Sequence, residues 1–450
     1  MNSKGYILVI SILSLLIAGC PSPPQGGQVK VEKFLPVVYD YGGVRVVQAR
    51  TSREPIEVRL VFASPAGQGP KASLLREDLG LRNAIHGGTL NDGPGVFSQK
   101  LISHQAILSY QAQPDASWIG MSCLSTELES SWPLFQDCAL RPAFNSDVFA
   151  DELKIMTRIS DLRRKSPLFG LGQLVRSKGF GPFPFELGTV LEEGIPEPDP
   201  TSLSNWYRED LLARNKFALV VVGDVDAERV ADLLIKGLPE ATSLSWDEEV
   251  VLSGVPPQAD VYLEKSASEQ EAIALHLPLL DVKEGTYSQS SLDEAAFRLL
   301  GTVLSNRIEV LFANDPQAQR NVRFAYSQEG SQGLWMALDG QGVMPRAELI
   351  MSELRKFYLE GLQEGELSHA REKVLQAELA RLQSNRLQAD LWADLIAHGD
   401  YDQWGQLINQ VQTVPEKAVL KLGQYSLENL SWFYYGVPSR LDRNSLQRLN

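Results

Sequence analysis

Histidine is scarce: five occur in 450 residues, at His86, His104, His276, His369 and His398. No two stand within two turns of one another, so no helix can present a pair of imidazoles to one metal ion. Cysteine is scarcer still, three in all. Basic charge is in deficit, with 42 Lys and Arg against 56 Asp and Glu and a net charge of −14. A chain this acidic cannot bind nucleic acid by neutralising phosphates, and anionic lipid gives it no attraction. Its N-terminal apolar run, residues 6–17, falls short of the roughly 20 residues that a membrane-spanning helix needs.

That run is informative for what surrounds it. Lys4 precedes it, and Ala18, Gly19 and Cys20 follow, which is the order of a secretory signal. Ile-Ala-Gly-Cys resembles a bacterial lipobox, so residues 1–19 are expected to be a lipoprotein signal peptide, with Cys20 lipidated and anchoring the chain to a membrane. Residues 20–35, rich in Pro and Gly at their start, read as a tether. The expected location is the bacterial cell envelope, facing the periplasm or the exterior. There Cys123 and Cys138 could pair as a disulfide; two buried thiols are the alternative.

The remaining chain carries a weak internal repeat. Gly88-Thr89 recurs as Gly301-Thr302 and Gly223 as Gly436, both 213 residues on, and Glu152-Leu153 recurs as Glu366-Leu367 after 214. A period of this length implies a duplicated domain. In each copy an alternating strand (IEVRLVFAS from Ile56, EAIALHLPL from Glu271) precedes an amphipathic helix, at 74–85 and 291–304. Two strands follow, at His104 and Ala116, then at Arg323 and Gly333. Two helices come next, at 130–140 with 146–164 and at 346–360 with 366–386, and a strand closes each copy (ALVVVGD, SWFYYGV). This order implies an α+β fold of two homologous sandwich domains, at 36–245 and 259–450, with the acidic, Pro-containing stretch 246–258 as linker. Gly87-Gly88 reads as a helix-end signal, and Trp432 to Tyr435 read as a core strand.

The ordered segments ADELKIMTRISDLRRKSP, KGFGPFPFELG, NKFALVVVGDVDAERV, RFAYS and EGELSHAREKVL resemble the insulinase/pitrilysin/mitochondrial processing peptidase family, in its half-length branch. The resemblance implies two homologous domains forming a half-shell, and two such chains enclosing a peptide chamber. It also implies a zinc motif, His-x-x-Glu-His, placed a few residues before Gly-Thr. Counted back from Gly88-Thr89, those positions are Leu79, Arg82 and Asn83, and none can serve. Leu79 has no lone pair, Arg82 is cationic and Asn83 is a poor zinc ligand. The region of the third ligand, RISDLRRKSP, offers Asp161 and no Glu. A metal assembled from His86, His104 and Asp161 is the one alternative set. From the second copy the resemblance implies a substrate-binding Tyr and Arg. Tyr326 matches the Tyr; Gln319 holds the usual place of the Arg, leaving Arg320, then Arg323, as candidates.

The expected function is that of a lipid-anchored, non-catalytic subunit of a heterodimeric peptidase. It would need no cofactor of its own, zinc being carried by a homologous partner, and would take extended peptide as substrate. The competing expectation is an envelope lipoprotein that binds peptides or scaffolds other proteins, with no peptidase role.

Overall fold

The computed structural model describes residues 34–450 except 64–71, 113–115, 181–182, 186–198, 213–216, 237–258, 267–269, 280–290, 328–332, 398–400, 445 and 447–450. The signal segment, Cys20, nearly all of the tether and the linker at 246–258 lie outside the described residues. The first half runs β1 (Val37–Tyr41), β2 (Val44–Ala49), β3 (Ile56–Ala63), α1 (Ala72–His86), α2 (Pro94–Ser103), β4 (Ile107–Gln111), β5 (Ala116–Cys123), α3 (Leu128–Leu140), α4 (Ser146–Arg164), α5 (Pro167–Ser177), α6 (Pro200–Trp206), β6 (Phe217–Val222) and α7 (Ala227–Ile235). The second runs β7 (Val261–Lys265), β8 (Ala272–Pro278), α8 (Ser291–Leu311), α9 (Pro316–Asn321), β9 (Val322–Ser327), β10 (Gly333–Asp339), α10 (Val343–Glu360), α11 (Glu366–Ala380), α12 (Asn385–Ala397), α13 (Tyr401–Thr413), α14 (Glu416–Glu428) and β11 (Ser431–Gly436).

The α+β reading holds, and the duplication is written in the sheets. The first has the order β1-β2-β6-β3-β5-β4, the second β7-β11-β8-β10-β9. With β1 set aside, the orders match strand for strand. In each, one outer pair is parallel (β2 with β6, β7 with β11) and the other pairs are antiparallel. Two of the three sequence landmarks nevertheless fall at unequal places. Gly88 follows α1 at φ +77°, whereas Gly301 lies inside α8. Glu152 lies mid-helix in α4, whereas Glu366 opens α11. The repeat is one of topology rather than of those residues.

Alternation within the strands gives each sheet two buried faces. Val58, Leu60, Ile119, Leu219 and Val221 turn one face of the first sheet to the core that includes Leu79 of α1 and Phe135 of α3. The second sheet does the same with Ile273, Leu275 and Met336 against residues of α8 and α10. The opposite faces are covered by helices exchanged between halves. Leu168, Leu171, Leu174 and Val175 of α5 pack on Ala272, Ala274, Ala337 and Phe433 of the second sheet. In return α12 lies on β3, β5 and β6 of the first. There the buried Arg59 bonds Glu57 Oε2 at 2.7 Å and Asp390 Oδ1 at 3.0 Å. Its guanidinium stacks 4.6 Å from the Trp118 ring centroid. Gly120, opposite Arg59 on β5, leaves room for it: a Cβ there would stand 2.7 Å from Arg59 Cδ. Asn385 Nδ2 seals the rim, donating to the carbonyls of Arg53 and Pro55 at 2.7 Å each.

The helix expected over 366–386 is two helices. The first stops at Ala380, and Ser384 Oγ accepts from Leu387 N at 3.2 Å, capping the start of α12. The stretch ANDPQAQRN holds α9, and α8 continues to Leu311.

Candidate functional site

Helix α1 presents a polar stripe at every fourth residue, Asp78, Arg82 and His86. It faces Glu152, which stands on the buried stripe of α4 with Phe149, Met156 and Ser160. A carboxylate on such a stripe needs partners, and here it has two. His86 Nδ1 lies 2.7 Å from Glu152 Oε1, and Arg82 Nη1 donates to Oε2 at 3.2 Å. Arg82 Nε donates to Asp78 Oδ1 at 3.2 Å, and Tyr110 of β4 donates its hydroxyl to the same oxygen at 2.9 Å. The guanidinium also lies 5.6 Å from the Tyr110 ring centroid.

The electrostatics match this geometry. The hydrogen bond with His86 holds the Glu152 carboxyl below its ordinary range against the opposing effect of burial, and Arg82 adds to it. Burial pulls the Arg82 pKa down, but Asp78, Tyr110 and Glu152 outweigh it and raise the value. Arg163, on the last turn of α4, feels the same cluster. Burial lowers its pKa, Asp78 opposes and Arg82 assists.

Of the positions counted from Gly-Thr, Arg82 alone lies in this cluster. Leu79 is fully buried in the core, and Asn83 is buried with its amide donating to Leu79 O at 3.1 Å. The pair one turn apart that meets the later helix is Asp78 and Arg82. The α4 carboxylate that meets α1 is Glu152, while Asp161 is exposed. The alternative metal set is not assembled either, since His86 pairs with Glu152 while His104 pairs with Glu127 at 3.2 Å. A zinc ion does not fit this donor set. A permanent cation already stands between the two carboxylates, and among the described residues no three His, Cys, Asp or Glu side chains are grouped to hold a metal.

The second half carries the same device. On α8, Arg298 Nη2 donates to Glu294 Oε1 at 2.8 Å, and its Nη1 reaches Glu378 Oε1 of α11 at 2.7 Å. Trp404 Nε1 donates to the other oxygen of Glu378 at 3.0 Å.

Tyr326 lies in β9, the edge strand of the second sheet, in register with Leu334, and Arg320 lies in α9 just before it. The side chains of both are outside those described. Arg323 Nη2 approaches Asp339 Oδ2 at 3.9 Å. Cys123 and Cys138 are free, buried thiols, so the disulfide alternative is set aside. Burial pushes Cys123 up to about 12 and Cys138 well above its ordinary value, and Cys138 Sγ lies 3.2 Å from the Ala84 carbonyl.

With two such sheets of matching strand order, the chain has the fold of the insulinase-type, M16 peptidases. Solved structures of that fold match it along most of its length. A peptidase M16 inactive domain from Pseudomonas fluorescens is similar at a TM-score of 0.72 and 18% identity, covering 89% of this chain and 98% of that one. A protease from Helicobacter pylori matches at 0.68 and 15%, covering 89% and 99%. The periplasmic protease PqqL from Escherichia coli matches at 0.66 and 12%, covering 97% of this chain but 48% of PqqL, so the chain spans about half of that protein. No family sequence model and no curated protein matches the sequence.

Proposed function

We propose that this chain is a non-catalytic subunit of a zinc peptidase of the processing type, binding peptide while a homologous partner chain carries the metal. The observation that carries this reading is Arg82. A peptidase fold is kept along most of the chain, yet on the helix where the resemblance implies a zinc motif a guanidinium stands between the carboxylates of α1 and α4. Support also comes from the P. fluorescens neighbour, which is described as an inactive domain, and from PqqL, which is about twice as long as the segment this chain matches. On this reading a homologous partner would supply the second half of the chamber.

Peptide would add as a strand to β4, the edge of the first sheet beside the Arg82 cluster. Backbone hydrogen bonds would then give affinity with loose sequence preference. Tyr326 and Arg320 would hold the substrate from the second half. The chain would act in the cell envelope, held by lipid on Cys20. PqqL is described as periplasmic, and among the described residues no helix is long and apolar enough to cross a membrane.

Mixing the chain with a homologue that carries an intact His-x-x-Glu-His motif tests the proposal. Peptidase activity should arise that neither chain has alone, and Tyr326→Phe should lower turnover in the mixture while leaving assembly intact. Equal activity from the partner by itself would leave only a scaffold role.

A further inference from the structure

The Arg82 cluster pairs a covalently attached cation with a latent metal site. In the first half Asp78 and Arg82 stand one turn apart on α1, and Glu152 reaches in from α4. In the second, Glu294 and Arg298 stand one turn apart on α8, and Glu378 reaches in from α11. Each arginine side chain is about three-quarters buried, at 23% and 24% exposure, between acidic side chains 9–11% exposed. Such carboxylates cannot be left without a counter-charge. Both halves meet that need with Arg, which stays charged at any working pH.

The first half differs in one respect. One turn beyond Arg82 stands His86, whereas one turn beyond Arg298 stands Thr302. Glu152 divides its two oxygens between positions 82 and 86, at 3.2 and 2.7 Å. An imidazole at 82 would therefore lie one turn from the His86 imidazole, with a carboxylate already bonded to both positions. Two His and one Glu are a complete protein set for tetrahedral zinc, with a fourth place for water. His86 is half exposed, which leaves that place open to solvent.

We propose that Arg82 is a built-in cation, fastening α1 to α4 in the role that metal ligation would otherwise fill, and that its guanidinium, lying between Asp78 and Glu152 with Arg163 nearby, is what closes this face to divalent metal. The native chain then binds no zinc specifically, and Arg82→His suffices to create a zinc site from residues otherwise in place. The proposal concerns this chain alone and stands or falls separately from any partner.

Competition with a chromophoric chelator tests it, with zinc as the probe and the full chain as the protein. The native chain should take up no equivalent of zinc, and zinc should leave its unfolding temperature unchanged. Arg82→His should bind one equivalent at least about a hundredfold more tightly than the native chain, and Glu152→Gln added to it should remove most of that gain. Arg298→His sets an imidazole beside Glu378 without a second one, and should gain nothing comparable. Stoichiometric zinc on the native chain would overturn the proposal, whether or not any variant folds. So would an equal gain in Arg298→His, or a folded Arg82→His that binds no better than native.

Discussion

Arg82 and Glu152 show how far single residues could be read before the fold was known. The want of a paired imidazole was plain from spacing. Which face of α1 meets α4 was not, because counting back from Gly-Thr sets the buried Leu79 and Asn83 beside Arg82. The apolar positions Leu79, Leu81, Ala84 and Ile85 already mark the core face of α1, which leaves 78, 82 and 86 on the other. Glu152 carried its own signal as a charge on the stripe of Phe149 and Met156. A pH dependence follows from its depressed pKa. Its bonds stabilise the fold fully above the unfolded glutamate value, about 4.3, and that contribution fades as pH falls through the lower folded value. Glu152→Gln should therefore cost about 1–2 kcal/mol near neutrality, allowing for solvent screening. Urea titrations of the two proteins should converge as pH falls from the unfolded glutamate value through the lower folded one; a gap that persisted throughout that acid range would detach the effect from this carboxylate.

At the scale of elements, strands and amphipathic helices were legible because period 2 and period 3.6 are local properties. What escaped was the break between α11 and α12, since Leu-Gln-Ser-Asn continues a helical composition and only the Ser384 cap ends it. The parallel strands β2 and β7 escaped as well. The exchange of α5 and α12 could not be read at all, because α12 looks like any amphipathic helix and its seat is a sheet formed far earlier in the chain. Arg59 records the exchange in chemistry: Glu57 is 2% exposed and depends on a cation whose other partner arrives on α12. Arg59→Ala should destabilise the protein by about 3–5 kcal/mol by leaving Glu57 uncompensated. Guanidinium unfolding measures it, and a loss under about 1 kcal/mol would mean that water replaces the guanidinium.

For the molecule as a whole, duplication was readable from the order of segments, and the matched strand orders bear it out more firmly than the residue landmarks did. The proposed domain limits at 36–245 and 259–450 describe the chain's order, while its packing crosses them. Residues 34–245 and 259–450 made as separate polypeptides should each expose a sheet face and bind a hydrophobic dye. Made together, they should regain a single cooperative unfolding transition and lose the dye signal. A first half that unfolds cooperatively by itself would show that α12 adds little.

The exchanged helix α12 also sets a schedule for synthesis. It begins about 160 residues after β6 completes the strands of the first sheet. At roughly 5–20 residues per second, a ribosome needs on the order of ten seconds or more to deliver it. Until then Val61, Val220 and the Arg59 pair face water, so the part of the molecule made first is among the last to be finished.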